Sequence, residues 1–313
     1  MEPRIVTLTL NPAVDIASDA KAVVPVRKVH TFGETYDAGG GGVNVARVLH
    51  ELGADVTAIV LEGGVTGRLV VELLEEEGVR CHPVRIADRT RICMTVHDHA
   101  GRQEYRFVAE GPQVSPAEFN AGLTAVATEP ADWLVASGSL PRGVELDSYV
   151  RIAKLAAKRG EKLVLDTSGP ALQAALGHGL ALIKPSLGEF EGLMGRNLPR
   201  AAEQNAAALQ LVQAGAADRV AVSLGHRGAL LATRDGVWRQ PAPDVHAVGA
   251  VGAGDSFLAA LTLALARGCD APDALAWGSA AGAAAVMRTG TAHPKREDVE
   301  ELYLRMRETC IPV

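Results

Sequence analysis

The sequence predicts an α/β fold, a three-layer sandwich with a mostly parallel central sheet and a small antiparallel β lid. From residue 133 onward, short apolar runs such as WLVASGS and KLVLDTS are each followed by a helical segment or a Gly/Pro/Ser-rich turn. This pattern is typical of parallel strands that are covered by helices on both faces. The stretch 84–108 instead alternates apolar and polar residues around DHAG, which predicts a hairpin on a separate sheet.

Length and composition limit the class of protein. The chain has 313 residues, of which 48% are hydrophobic and 22% are charged, so we expect one domain over 1–313 with a lid from about 15–37 and 88–108. The net charge of −6 argues against a nucleic-acid partner. The apolar runs are too short for a membrane span or a signal peptide, and the four cysteines are scattered. These features predict a cytoplasmic protein with no membrane partner.

The elements of the first half follow from their periodicity. Residues 4–10 read as a strand that ends at Asn11-Pro12, and 55–61 read as a second strand. A helix opens within 38–53, and apolar residues at helical spacing predict another helix over 67–79.

The second half alternates strands and helices. Ser, Gly and charged residues collect at the strand ends, in SGSLPRG, DTSG, KPSLGE and SLGHRG, where open α/β sheets bind their ligands. A second hairpin is expected over 228–243, followed by helices at about 253–267, 273–288 and 295–308.

The stretch VGAVGAGDSF (248–257) raises a chemical question, because it places Asp255 directly behind Gly252, Ala253 and Gly254. Glycines at a helix N-terminus allow close approach of an anion to free backbone N–H groups. A carboxylate there would repel a phosphate, unless it serves as a base for an attacking hydroxyl. The alternative is a helix cap. This stretch alone does not decide between the two.

A second glycine run, AGGGGVNVARVLHELG (38–53), opens a helix with Asn44 in its first turn. An amide donates and accepts hydrogen bonds, which suits the hydroxyls of a polyol. The alternative is a flexible turn before a core helix. The run matches neither the P-loop nor the dinucleotide-binding fingerprint, which disfavours a dehydrogenase.

Together, in this order and about 210 residues apart, the two stretches resemble the signature motifs of the ribokinase-like carbohydrate kinases, phosphofructokinase B branch. Within that branch, the resemblance is strongest to the bacterial minor 6-phosphofructokinases, in the segments LTLNPAVD, GGGGVNVAR, EYRFV and SGSLPRGV. The resemblance implies an ATP-dependent kinase that converts fructose 6-phosphate to fructose 1,6-bisphosphate. The 1-phosphofructokinases and tagatose-6-phosphate kinases typically carry Lys where this chain has Gly41, and they remain the alternative.

The resemblance also assigns roles to residues. In catalysis, it makes Asp255 the general base and the amides of Gly252, Ala253 and Gly254 the anion hole. On the sugar side, it places hydroxyl contacts and phosphate contacts on Asp15, Gly39, Gly40, Asn44, Ser139, Arg91, Arg106 and Lys28. Lys28 reaches the phosphate within its own subunit or across a dimer, and His30 stands where the minor enzymes usually have Arg.

On the nucleotide side, the resemblance implies contacts from Lys184, Ser186, Ser223, Gly225 and Gly228. It assigns Mg²⁺ to Glu189 and Asp166 through water, with Ser186 in place of the family's Asn. The implied cofactors are ATP as cosubstrate and Mg²⁺, with a monovalent cation as a further candidate.

Two further expectations concern partners and alternatives. The apolar residues of the hairpin, Ile92, Met94, Val96, Tyr105 and Phe107, would leave a small sheet with one bare face, which predicts a homodimer through the lid. A non-catalytic protein that binds a sugar or a nucleotide is the other functional class. Such a protein would be expected to have lost Asp255 or its glycines, and both are present.

Overall fold

A computed structural model describes residues 2–249, 251–288 and 293–313, so that Ala250, within the stretch 248–257, lies outside the described residues. Its strands are β1 (Arg4–Thr9), β2 (Ala13–Ala20), β3 (Thr31–Gly39), β4 (Asp55–Glu62), β5 (Arg80–Arg85), β6 (Arg91–Asp98), β7 (Gln103–Val108), β8 (Trp133–Ser137), β9 (Lys162–Asp166), β10 (Leu180–Ile183), β11 (Val220–Ser223), β12 (Ala229–Thr233), β13 (Gly236–Gln240) and β14 (Ile311–Pro312). Its helices are α1 (Gly41–Glu51), α2 (Gly64–Glu76), α3 (Pro116–Thr128), α4 (Ser148–Arg159), α5 (Gly169–Ala175), α6 (Leu187–Met194), α7 (Ala201–Gln213), α8 (Ala253–Ala266), α9 (Ala271–Val286) and α10 (Arg296–Met306).

The central sheet has ten strands in the order β14-β13-β12-β11-β10-β9-β8-β1-β4-β5. The seven strands from β11 to β5 pair in parallel, and β12, β13 and β14 extend the sheet in antiparallel fashion. The predicted mostly parallel sheet is therefore confirmed. Its parallel strands all end at one edge, which gathers the polar segments predicted there.

Helices cover both faces of this sheet. One apolar core packs α1, α2, α8, α9 and α10 against it, and a second core packs α3, α4, α5, α6 and α7 against the opposite face. Strands between the two layers are apolar on both sides, and all five residues of β8 are buried. Among the described residues, no helix combines the length and apolar character needed to cross a bilayer.

A smaller sheet has four strands in the order β3-β2-β6-β7. The hairpins β2–β3 and β6–β7 are antiparallel, as expected, but β2 and β6 pair in parallel. The parallel pair arises because residues 40–90, between the two hairpins, pass through the central sheet before the chain returns. We call these four strands the lid.

Two elements differ from the sequence expectation. The helix expected over 67–79 spans Gly64–Glu76, because the turn that ends it places Gly78 at a left-handed φ of +78° and leaves Val79 to pack outside the helix. Strand β5 gave no clear apolar pattern, because it is an edge strand with Pro83 in it and mostly unburied side chains.

Candidate active site

The N-terminus of α8 forms one wall of the site. Gly252 is the N-cap residue, with a left-handed φ of +75°, and no side chain of the described residues caps this helix. The N–H groups of the first turn, at residues 252–255, have no partner within the helix. They therefore form a positively polarised end that can bind an anion.

Asp255 lies in this first turn, and its carboxylate is bonded to a side chain of another helix. Its Oδ2 accepts a hydrogen bond of 2.8 Å from Nδ2 of Asn44, in the first turn of α1. Burial and the nearby Asp166 raise the pKa of Asp255 to about 7, against the lowering effects of Asn44 and Lys184. The hydrogen bond that a helix-capping Asp255 would accept from the backbone is absent among the described residues. The hydrogen bond from Asn44 instead connects the two glycine stretches.

Lys184 follows β10 and brings a cation to the same place. A side chain at Gly254 would put its Cβ 3.4 Å from the Lys184 ammonium, so the ammonium lies against the positive end of α8. Two positive groups in contact indicate a site for an anion. Burial alone would lower the pKa of Lys184, but the carboxylates of Asp166, Asp255 and Glu189 raise it, so the ammonium stays protonated.

Asp166, at the end of β9, completes this cluster. Its Oδ1 lies 3.3 Å from the Lys184 ammonium, and its Oδ2 accepts a hydrogen bond of 3.3 Å from the Ser137 hydroxyl. Burial raises the pKa of Asp166, and Glu189 raises it further, against the lowering effect of Lys184. A cation would therefore be electrostatically favoured beside Asp166 and Glu189.

The glycine run within 38–53 packs α1 tightly against the sheet edge. Gly40 is the N-cap residue of α1, and a Cβ on Gly41 would lie 2.3 Å from the Ser137 hydroxyl. A Cβ on Gly39 would lie 2.2 Å from Oδ2 of Asp15, so the carboxylate of Asp15 rests directly over Gly39. The glycines are needed for this close approach.

Asp15 projects from β2 on the lid face that turns towards Asp255. Burial raises its pKa, and among the charges around it Arg91 lowers the pKa, Asp37 raises it and Arg106 lowers it. Asp15 also raises the pKa of Asp255. The structure thus brings together Asp15, Gly39, Gly40, Asn44 and Asp255.

Arg91 and Ser139 lie beside this group and hold the lid in place. Arg91 donates hydrogen bonds to the carbonyls of Ala109, at 2.9 Å, and Asn11, at 3.0 Å. The Asn11 side chain in turn donates to Ser139 Oγ at 3.1 Å and to the carbonyl of Glu110 at 3.0 Å. Asn11 was predicted only as a strand breaker. Its second role depends on tertiary contacts, which local sequence does not show.

Arg106 and Lys28 are exposed and make few contacts with the other described residues. Arg106 pairs across the lid with Thr95, which pairs with Ala17, so it shares a face with Asp15, and its side chain is 53% exposed. Its only recorded ion pair within the described residues is a loose one of 3.9 Å to Glu104. Lys28 lies in the exposed loop 21–30. No contact joins it to the rest of the site within the part of the chain that the structure describes.

Ser186 and Glu189 form a reciprocal cap at the start of α6. The Glu189 carboxylate accepts hydrogen bonds from the backbone N–H of Ser186 at 2.8 Å and from its hydroxyl at 2.7 Å, and the Ser186 hydroxyl accepts from the Glu189 N–H. Oε2 of Glu189 is occupied by this cap. Ser186 and Glu189, which the family resemblance assigns to the nucleotide and the metal, thus also form a capping box.

A cavity of about 680 Å³ opens beside the N-terminus of α8. Ser223, Gly225 and Gly228, expected to contact a nucleotide, line it together with Ala253 and Gly254. The opposite walls come from residues that the sequence analysis did not assign, in the segment 242–249 and on α9. The α9 residues are Ser279, Gly282, Ala283 and Val286, which lie on the helix that the sequence predicts at about 273–288.

Comparisons with known proteins agree with this geometry. The family model described as pfkB family carbohydrate kinase matches residues 8–298. The ATP-dependent 6-phosphofructokinase isozyme 2 of Mycobacterium tuberculosis (strain ATCC 25618 / H37Rv) is 43% identical over 304 residues, which cover 96% of this chain and 89% of that protein. The Escherichia coli (strain K12) protein of the same name is 38% identical over 302 residues, covering 96% and 98%.

Among solved structures, the chain is similar to phosphofructokinase-2 from Escherichia coli in complex with fructose-6-phosphate. The TM-score is 0.92 and the identity 37%, with 97% of this chain and 99% of that chain covered. Fold and sequence therefore indicate the same family over nearly the whole chain.

Proposed function

This chain belongs to the pfkB family of carbohydrate kinases, and from that premise we propose that it transfers the γ-phosphoryl group of ATP to the 1-hydroxyl of fructose 6-phosphate. The observation that carries the proposal is the 2.8 Å hydrogen bond between Asn44 and Asp255. It joins the sugar-side glycine run to the carboxylate that faces the anion site. A hydroxyl held near Asn44 would therefore lie between a base and a phosphate.

Asp255 acts as the general base. Asn44 holds Oδ2 and leaves Oδ1 to accept the proton of the attacking hydroxyl. Because its pKa is raised to about 7, the carboxylate is a stronger base than an ordinary aspartate, and about half of the molecules carry it ionised at pH 7.

The charge that develops on the transferred phosphoryl group is stabilised from the other side. The first-turn N–H groups of Gly252, Ala253 and Gly254 point out of α8, and the Lys184 ammonium lies against Gly254. Donors fixed in this way stabilise the transition state without reorganisation.

Mg²⁺ fits the acidic groups near Lys184. Within the described ranges no three His, Cys, Asp or Glu side chains form a closed metal cage. Mg²⁺ in kinases usually takes one or two carboxylates, water and substrate phosphates. Asp166 and Glu189 would hold the ion through water, and the bound ion supplies charge neutralisation for the ATP phosphates. The monovalent cation remains a prediction.

The acceptor lies between the lid and the central sheet. Asp15, with its carboxylate over Gly39, accepts hydrogen bonds from sugar hydroxyls. Arg106 is the exposed cation on the same lid face and binds the 6-phosphate, with Lys28 as the second candidate. Gly41 leaves no room for the longer side chain of the related kinases, since its Cβ would meet Ser137.

We also propose that the chain forms a homodimer through its lid. Ile92, Met94, Tyr36 and Phe107 lie on the lid face opposite Asp15, and 42–59% of each residue is exposed. A four-stranded sheet with a bare apolar face is expected to cover it. A cytoplasmic location is part of the proposal, supported by four cysteines that are all free thiols.

An assay of ADP release over a panel of acceptors tests the substrate. We expect the highest kcat/KM with fructose 6-phosphate, and lower values with fructose 1-phosphate, tagatose 6-phosphate and free fructose. Replacing Arg106 by Met should raise the KM for fructose 6-phosphate and leave any turnover of free fructose unchanged. The matched control is Arg234→Met, at an exposed arginine that pairs with Asp218 at the surface. A higher kcat/KM with an unphosphorylated sugar would overturn the assignment.

A further inference from the structure

Asn11 lies at the point where the central sheet meets the lid. The residue follows β1 and precedes β2, and it is only 3% exposed. Its side-chain nitrogen donates hydrogen bonds to Ser139 Oγ, in the segment after β8, at 3.1 Å and to the carbonyl of Glu110, after lid strand β7, at 3.0 Å. One amide group therefore connects a loop of the central sheet with two of the segments that lead into and out of the lid.

The contact with Glu110 fixes the orientation of this amide. A carbonyl oxygen can only accept a hydrogen bond, so the side-chain nitrogen of Asn11, and not its Oδ1, must face it. Oδ1 lies on the other side, against Gly111, because a Cβ on Gly111 would be 2.1 Å from it. Oδ1 is buried and has no hydrogen-bond partner among the described residues. Both protons of the amide are therefore in use, one towards Glu110 and one towards Ser139.

This orientation determines what the Ser139 hydroxyl can do. A serine hydroxyl has one proton to donate and two lone pairs, and the amide of Asn11 occupies one of the lone pairs. The hydroxyl proton is therefore directed away from Asn11, towards another acceptor. Ser139 is exposed, so this acceptor can belong to a ligand. The hydrogen bond from Asn11 also strengthens the hydroxyl as a donor, because hydrogen bonds in a chain polarise one another.

We propose that Asn11 is a positioning residue, which holds Ser139 Oγ so that its hydroxyl donates to an oxygen of the bound sugar phosphate. The inference rests on the proposed function, which places that substrate between the lid and the central sheet. Asn11 does not touch the substrate and acts through Ser139. Because the same amide holds Glu110, it also fixes Ser139 relative to strand β7, which carries Arg106.

A double-mutant cycle of Asn11→Ala and Ser139→Ala tests the inference through kcat/KM for fructose 6-phosphate. We expect Ser139→Ala to lower kcat/KM about tenfold, as for the loss of one hydrogen bond, mainly through a rise in KM. Asn11→Ala should lower it about three- to tenfold in an otherwise wild-type chain. In the Ser139→Ala chain the same substitution should leave kcat/KM nearly unchanged, because the donor that Asn11 positions is gone. The Kd of ADP, measured by calorimetry, should equal that of wild type in all three variants.

Gln204→Ala is the matched control, because Gln204 on α7 is also a buried amide whose nitrogen donates to a carbonyl, that of Leu198 at 2.8 Å. It should lower the stability to urea and leave kcat/KM for fructose 6-phosphate unchanged. Asn11→Asp is the second variant at the position, for the case that the alanine variant does not fold. It keeps the shape of the side chain, but an ionised carboxylate has no proton to donate to Ser139. Its loss of kcat/KM should likewise depend on the presence of Ser139.

Three outcomes would contradict the inference. The first is a Ser139→Ala protein with the wild-type KM for fructose 6-phosphate, whatever the Asn11 variants do. The second is a loss of kcat/KM from the Asn11 substitution that is equal with and without Ser139, because a purely structural effect does not depend on that hydroxyl. Both leave the kinase assignment intact. The third is a wild-type protein that phosphorylates no sugar phosphate, which would overturn the proposed function and the inference with it.

Discussion

Substitution of Asp255 distinguishes a general base from a helix cap, because the two roles predict different effects on turnover. It lies in the first turn of α8, where Gly252 is the N-cap and the Asp255 carboxylate binds Asn44. Asp255→Asn keeps the size of the side chain but cannot accept the proton of a hydroxyl. We expect kcat to fall by about 10²–10⁴-fold, the usual loss for a general base, with ADP affinity close to that of wild type. Steady-state kinetics and calorimetry measure both. A kcat within threefold of wild type would contradict the assignment.

The raised pKa of Asp255 predicts a pH dependence of stability with a definite sign. The pKa of Asp255 is about 7 in the folded protein, whereas the unfolded chain releases this proton near the ordinary aspartate pKa of 3.8. The stabilisation from this proton is complete below pH 3.8 and is lost as the pH rises through 7. Asp255→Asn removes this term, so the variant should gain urea stability over wild type between pH 5 and pH 8.

The same titration predicts a rate profile. Because only the ionised carboxylate accepts a proton, kcat/KM should fall as the pH drops below about 7. A profile that is flat between pH 6 and pH 8 would contradict the role of Asp255 as the base.

At the scale of elements, Arg47 joins the lid to the helices beneath it. Its buried guanidinium, on α1, donates hydrogen bonds of 2.6 and 2.8 Å to the carboxylate of Glu77, just after α2. It also donates to two residues of β3, to the carboxylate of Asp37 at 3.0 Å and to the carbonyl of Ala38 at 3.1 Å. These contacts fix the end of β3, which leads into the glycine run under Asp15. Loss of these contacts should therefore disturb the sugar side of the site.

Arg47→Met should destabilise the protein by about 3 kcal/mol, the lower end of the range for breaking a buried ion pair, because both carboxylates keep some contact with water. The KM for the sugar phosphate should rise more than the KM for ATP. Arg80→Met is the control, since Arg80 pairs with Asp55 at the surface and should cost at most about 1 kcal/mol. Urea unfolding and steady-state kinetics measure these effects. Equal losses of stability in Arg47→Met and Arg80→Met would contradict the inference that the contacts of Arg47 join the lid to the helices.

Elements and site were predictable from sequence to different degrees. The central strands were evident because burial on both faces makes them continuously apolar, as in β8. The meeting of Asn44 with Asp255 was accessible only through the paired glycine motifs, since 211 residues separate them. The contacts that Asn11 makes with Glu110, Ser139 and Arg91 depend on the tertiary fold. The sequence pattern of Ser186 and Glu189 is ambiguous, because their spacing fits a capping box as well as a ligand site.

At the scale of the whole molecule, the two faces of the lid differ in character. One face carries Asp15, Thr95 and Arg106 and turns towards the site. The other carries Tyr36, Met94 and Phe107, which remain exposed in a single chain. A second copy of the chain could cover this apolar face without blocking the entry of the sugar. The lid would then be both a cover for the acceptor and a contact between subunits.

Phe107→Glu tests the dimer. Phe107 is 59% exposed and lies at the edge of the lid, where it pairs with Met94. A charge there would be buried without a partner in a lid-to-lid contact, which costs several kcal/mol and should dissociate the dimer. Light scattering at micromolar concentration should give twice the chain mass of 32.7 kDa for wild type and the chain mass for the variant. Leu304→Glu, at an exposed leucine on α10, should remain dimeric. A wild-type mass of a single chain would contradict the proposed dimer, and dissociation by Leu304→Glu would place the interface elsewhere.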